Sequence, residues 1–105
     1  MGERTENVKD AELGTTLNQL VDIIKSRRLA DKEQSYTARL LTGREDLLYK
    51  KIIEEATELI LALKDSDHDH IRYEAADLIY HIFVAFERSG ITAEELAGEL
   101  KARME

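Results

Sequence analysis

No proline occurs anywhere in the 105 residues, and only five glycines do: Gly2, Gly14, Gly43, Gly90 and Gly98. Between Gly43 and Gly90 the chain therefore runs without either of the residues that most disfavour a helix interior. Apolar residues in that stretch recur every third or fourth position, the period of one helical face. The expected fold is all-α, a helical bundle of about five helices around a central antiparallel hairpin of long helices.

Leu13, Leu17, Leu20, Val21 and Ile24 mark a first helix. It is expected from about Thr16 to Leu29, because Thr16 stands three residues before Gln19 in the arrangement of a capping box. Ser35 is placed to cap a short helix over Tyr36 to Leu41 that Gly43 ends. A long helix is expected from Glu45 to Lys64, with the apolar stripe Leu48, Ile52, Ala56, Leu59 and Leu63, and the cluster Asp65-Ser66-Asp67 stops it. Asp67 or Asp69 then caps a helix running to about Ser89, where Gly90 occupies the position that favours glycine. Thr92 and Glu95 form a capping box that opens a last helix continuing to the terminus. Residues 1–12, polar and mixed in charge, are expected as a flexible arm, and residues 13–105 as a single domain.

The fourth helix bears on assembly. Ala75, Ala76, Leu78, Ile79, Tyr80, Ile82, Phe83, Val84, Ala85 and Phe86 cover nearly its whole circumference, whereas a surface helix keeps one polar side. Such a helix is either central or packed against another subunit. A chain of this size buries only a modest share of its surface alone, which favours a homodimer or larger homo-oligomer. The net charge of −7 gives a field that repels nucleic-acid phosphates, so no nucleic-acid partner is expected. The absence of cysteine removes disulfides and thiol chemistry and fits a reducing, cytoplasmic setting. The first dozen residues lack the apolar run of a secretory signal. Ala75 to Phe86, broken by Asp77 and His81, is shorter than the ~20 residues of a membrane span, so a soluble protein is expected.

The chemistry is carried by carboxylates. At about 100° per residue, Glu55 and Glu58 fall some 60° apart on one flank of the third helix, and Glu74 and Asp77 do the same on the inward side of the fourth. An antiparallel hairpin brings the two pairs around one small volume. Four carboxylates crowded at the edge of a core must take up protons or be neutralised by a cation. An all-oxygen donor set suits magnesium or manganese better than zinc. Magnesium commonly keeps waters and coordinates phosphates, which points to phosphate chemistry. Lys51, Lys50, Arg39 and Arg44 are candidates to meet a phosphate oxygen, Lys51 first among them. The competing structural reading makes these carboxylates solvated helix residues paired with Lys50, Lys51 and Arg72. His81, one turn after Asp77, either supports the site or is a core-edge histidine satisfied by a hydrogen bond. His68 and His70 are expected in a turn, facing solvent.

The pattern EExxE at Glu54 to Glu58, followed by ExxD at Glu74 to Asp77, resembles the signature of the all-α nucleoside triphosphate pyrophosphohydrolase superfamily. Within it, Ser35-Tyr36-Thr37, Lys51-Ile52-Ile53-Glu54-Glu55-Ala56-Thr57-Glu58 and Tyr73-Glu74-Ala75-Ala76-Asp77-Leu78-Ile79-Tyr80-His81 are similar to the phosphoribosyl-ATP pyrophosphohydrolases. The likeness spans about Leu17 to the C terminus. It implies conversion of phosphoribosyl-ATP and water to phosphoribosyl-AMP and pyrophosphate, the second step of histidine biosynthesis. It implies that Glu55, Glu58, Glu74 and Asp77 ligate the metal and that Glu54 orients water or helps to hold a second ion. Ser35, Tyr36 and Thr37 would lie near the substrate. Ile53 departs from the glycine that many relatives carry before the paired glutamates, a change that would affect the approach of another helix. Many relatives are also fused to the enzyme of the next step, and a chain of this length would be the free-standing form. A pyrophosphohydrolase that clears deoxynucleoside triphosphates, and a non-catalytic helical dimerisation module, are the alternative readings of the same residues.

Overall fold

A computed structural model describes residues 8–104. Five α-helices follow one another, α1 (Leu13–Ser26), α2 (Tyr36–Thr42), α3 (Glu45–Lys64), α4 (His68–Ser89) and α5 (Ala93–Lys101), with one 3-10 turn, Arg27–Leu29, after α1. Among the described residues there is no strand. Of the expected arm over residues 1–12, residues 1–7 lie outside the described residues.

Each boundary has a local cause. α1 begins three residues earlier than the Thr16 box implies, because Glu12 reaches forward and accepts from the backbone N–H groups of Gly14 and Thr15. A carboxylate at this end also suits the positive pole of the helix. Its C-terminal turn tightens to 3-10 geometry instead of continuing as α-helix to Leu29. Ser35 caps α2 through the Ala38 N–H, and Thr92 and Glu95 close a reciprocal capping box on α5. α5 ends at Lys101, short of the terminus.

Gly43 follows α2 at an ordinary negative φ of −84°. Its requirement is space: a Cβ there would stand 2.6 Å from the Arg39 carbonyl oxygen. Gly90, by contrast, has φ 79°, the left-handed cap the sequence implies. Ser66 takes the same role after α3, at φ 55°. There Asp67 N–H donates back to the Ala62 carbonyl and Ser66 N–H to that of Leu63, the double reverse bond that closes a helix end. The turn therefore spends only Asp65, Ser66 and Asp67 before Asp67 caps α4 through the His70 N–H. So short a link forces α3 and α4 to lie antiparallel, and their contact is the most extensive between any two of the described helices.

Ile24, Leu40, Leu41, Leu48 and Val84 form the buried core, with Leu20, Ile52, Tyr80, Phe83 and Ala85 packed around it. α4 is central, touching α1, α2 and α3. Its apolar circumference is thus largely used within one chain, although Ile79 stays exposed. The stripe expected on α3 holds at Leu48 but not at its end: Leu63 is exposed and Ala62 is buried instead. The outer face of α3 carries Leu47, Ile53, Ile60 and Leu61, all at least half exposed. Ile53 is 68% exposed. No helix of the described residues is long and apolar enough to cross a membrane.

Candidate metal centre

The hairpin buries charge where a core would ordinarily be apolar. Glu55, on α3, is 2% exposed and Glu74, on α4, is 4% exposed. Acidic side chains are almost never this buried unless paired. Glu55, Glu74 and Asp77 place one carboxylate oxygen each within 4.8 Å of one another. Glu55 Oε2, Glu74 Oε1 and Asp77 Oδ2 are buried with no hydrogen-bond partner. These orphaned acceptors fit a hard divalent ion, which would satisfy all three at once.

The electrostatic cost is visible in Glu55. Burial, followed by hydrogen bonding and charge repulsion from Asp77 and Glu74, pushes its carboxyl up to about 8. The nearby phenols respond to the same field: burial first, then the negative charge of Asp77, holds Tyr73 and Tyr80 above the usual tyrosine range. Burial and the neighbouring Tyr80, Asp77 and Glu55 push Tyr36 up to about 12. A cation in the cluster would oppose the part of these shifts that the carboxylate charges cause.

Glu58 does not join the same trio. It is exposed, and it gathers instead with His70 and Glu74, the ligand atoms again within 4.8 Å of one another. Glu74 thus belongs to two overlapping groups. His70 is not in a turn facing solvent, as its sequence position implies. It lies in the first turns of α4, its side chain 24% exposed, with Nε2 3.0 Å from Glu74 Oε2. The signal was present in the spacing, since His70 and Glu74 are four apart and share a helix face. His68 is exposed as expected.

The remaining site residues sort into two places. Glu54 is 46% exposed in its side chain and sits outside both groups, its Oε1 3.7 Å from Lys51 Nζ. Arg72 pairs with Asp69 and Arg44 with Asp46, so the pairing of Arg72 with the buried carboxylates is not what forms. α2 brings Tyr36 and Thr37 against α4 one turn beyond Asp77. The Tyr36 hydroxyl lies 2.9 Å from His81 Nε2, and the Thr37 hydroxyl bonds the Tyr80 hydroxyl. Arg39 stacks over the Tyr36 ring at 5.6 Å, with its guanidinium also reaching the Lys32 carbonyl. Ser35 spends its hydroxyl on the α2 cap. Beside Asp77 an open cleft of about 380 Å³ is lined by Val8, Arg72, Tyr73, Ala76 and Tyr80. Tyr73 and Tyr80 are seven apart with Asp77 between them, a spacing that already placed both on one side of α4.

An antiparallel helical hairpin with buried, partnerless carboxylates on both arms fits the all-α nucleoside triphosphate pyrophosphohydrolase class that the motifs resemble. Residues 17–104 match the family model of phosphoribosyl-ATP pyrophosphohydrolase. The chain is 44% identical over 89 residues to the phosphoribosyl-ATP pyrophosphatase of Nitrosomonas eutropha, covering 85% of this chain and 76% of that protein. It is 45% identical over 92 residues to the phosphoribosyl-ATP pyrophosphatase of Haloquadratum walsbyi, covering 86% and 92%. With the histidine biosynthesis bifunctional protein HisIE of Helicobacter hepaticus it shares 50% identity over 88 residues, 84% of this chain but 38% of that protein. The chain belongs to the phosphoribosyl-ATP pyrophosphohydrolase family and is an enzyme, a hydrolase.

Proposed function

We propose that this chain hydrolyses phosphoribosyl-ATP to phosphoribosyl-AMP and pyrophosphate, as its relatives are named for doing, and that it does so with magnesium, or manganese in its place. The observation that carries this reading is the trio of buried, unsatisfied carboxylate oxygens on Glu55, Glu74 and Asp77. Glu58, at the rim of the same hairpin, completes the acidic set. When bound, the ion would supply charge neutralisation for the triphosphate and for the departing pyrophosphate.

The protein's own groups divide the remaining work. Glu54, at the exposed rim beside Lys51, accepts a proton from the attacking water. Lys51 and Arg39 meet phosphate oxygens. Tyr36 and Thr37 are held in place by His81 and Tyr80 and form the wall over which the substrate lies. The cleft lined by Tyr73 and Tyr80 takes the flat, apolar part of the nucleotide, since aromatic faces bind such groups with little loss of side-chain freedom.

A homodimer or larger assembly, in a cytoplasmic setting, belongs to the same proposal. Its support is the exposed apolar face of α3, where Leu47, Ile53, Ile60 and Leu61 would be covered. Ile53 would then lie between subunits.

Pyrophosphate release from phosphoribosyl-ATP, ATP, dCTP and dUTP, each with and without magnesium, tests the substrate. Magnesium-dependent release from phosphoribosyl-ATP at a kcat/KM at least about a hundredfold above the others is expected, a gap of ~3 kcal/mol in transition-state binding. Preference for a deoxynucleoside triphosphate would overturn the assignment in favour of a clearance enzyme.

A further inference from the structure

The group formed by Glu58, His70 and Glu74 differs in kind from the one formed by Glu55, Glu74 and Asp77. One donor is a nitrogen. We propose that His70 is a direct ligand, with Glu58 and Glu74, of a second cation position on the outer side of the hairpin. This mixed nitrogen and oxygen position favours a transition-metal ion such as manganese or cobalt over magnesium. The proposal rests on the metal reading above and extends it to a residue that the acidic motifs do not contain.

Three observations support it. The ligand atoms of the three residues lie within 4.8 Å of one another, a separation that one ion bridges with small side-chain adjustments. Glu74 is shared by both groups: its Oε2 faces His70 Nε2 at 3.0 Å while its Oε1 is buried without a partner. A carboxylate that belongs to both groups is placed to be shared by two neighbouring cations. Finally, the position is open on one side, because Glu58 is exposed and His70 partly so, leaving room for waters or phosphate oxygens. Imidazole raises affinity along the transition series far more than for magnesium, which prefers oxygen.

The full chain, without nucleotide, is titrated with Mn²⁺ and separately with Mg²⁺, and the Mn²⁺ complex is examined by electron spin-echo spectroscopy for coupling to ¹⁴N. Wild-type protein is expected to show imidazole-nitrogen modulation. His70→Gln should abolish it and weaken one Mn²⁺ affinity by about tenfold or more, while changing Mg²⁺ affinity by less than about twofold. His68→Gln, at the exposed neighbour, should leave both unchanged. Glu58→Gln should weaken the same Mn²⁺ position while leaving the His70–Glu74 pair intact, so it remains informative if His70→Gln folds poorly. Mn²⁺ binding without nitrogen modulation, or with modulation that survives His70→Gln, would overturn the role of His70 and leave the carboxylate reading standing. No divalent binding by the wild-type chain would overturn both.

Discussion

The Tyr36 hydroxyl lies 2.9 Å from His81 Nε2, while His81 Nδ1 lies 2.8 Å from the Asp77 carbonyl oxygen. A carbonyl only accepts, so Nδ1 carries a proton, and in the singly protonated ring Nε2 receives the Tyr36 O–H. His81, 1% exposed, therefore ties α2 to the helix that carries Asp77. Tyr36→Phe would leave Nε2 buried and unpaired. It is expected to lower stability by about 1–2 kcal/mol in urea unfolding and to raise KM for the nucleotide more than it lowers kcat. An unchanged unfolding midpoint would contradict this pairing.

The metal-free protein should lose stability as pH rises. Glu55 titrates at about 8 when folded against an ordinary 4.5, so between those values the folded chain holds a proton that the unfolded chain has released. The contribution is fully present below about 4.5 and is lost as the pH rises to about 8. Thermal unfolding with a chelator present should show a falling Tm over that range. Added magnesium should restore it most at the alkaline end. Because the ion displaces a proton, its apparent affinity should rise up to roughly tenfold per pH unit until Glu55 is ionised. Glu55→Gln should flatten the Tm profile, and a profile unaltered by that change would count against the buried cluster as its source.

The two glycines at Gly43 and Gly98 make opposite stability predictions. A methyl group at Gly43 would meet the Arg39 carbonyl oxygen at 2.6 Å, the same oxygen that accepts the Gly43 N–H at 2.8 Å. Gly43→Ala is expected to cost ~1–3 kcal/mol. At Gly98, inside α5, a methyl group would meet nothing within 4 Å, and Gly98→Ala should stabilise by up to about 1 kcal/mol through helix propensity. Chemical denaturation of the two variants separates them by sign.

Glu54 and Glu55 are neighbours with different expected roles. Glu54 is exposed and paired with Lys51, outside both carboxylate groups. Glu54→Gln should reduce kcat about a hundredfold or more while magnesium affinity stays within about threefold of wild type. Loss of metal binding in this variant would make Glu54 a ligand instead.

Most of this architecture was legible because its determinants are local. Ser35, Asp67, Gly90 and the Thr92–Glu95 box each mark a helix end through contacts within four residues. Glu12 was missed because a glutamate at a cap is unusual, while Thr16 offered a more familiar box. The inward flank of α3 and α4 was also legible, since Glu55, Glu74 and Asp77 follow from helical period and a short turn. Glu58 is less exactly fixed by period: it lies a further turn along α3, where the hairpin faces the start of α4, and so meets His70. That encounter depends on how Asp65, Ser66 and Asp67 close the turn, with Ser66 in the left-handed region at φ 55°, which no spacing rule specifies. The centrality of α4 likewise needed three-dimensional packing, because an apolar circumference fits a central helix and an intersubunit helix equally well.

The most direct test of the account is magnesium-dependent pyrophosphate release from phosphoribosyl-ATP by Glu55→Gln and Asp77→Asn, with helicity followed in parallel by circular dichroism. Both variants should keep the helical fold and lose at least about a thousandfold in kcat/KM, ~4 kcal/mol of transition-state stabilisation. Turnover within a few-fold of wild type in either folded variant would contradict it.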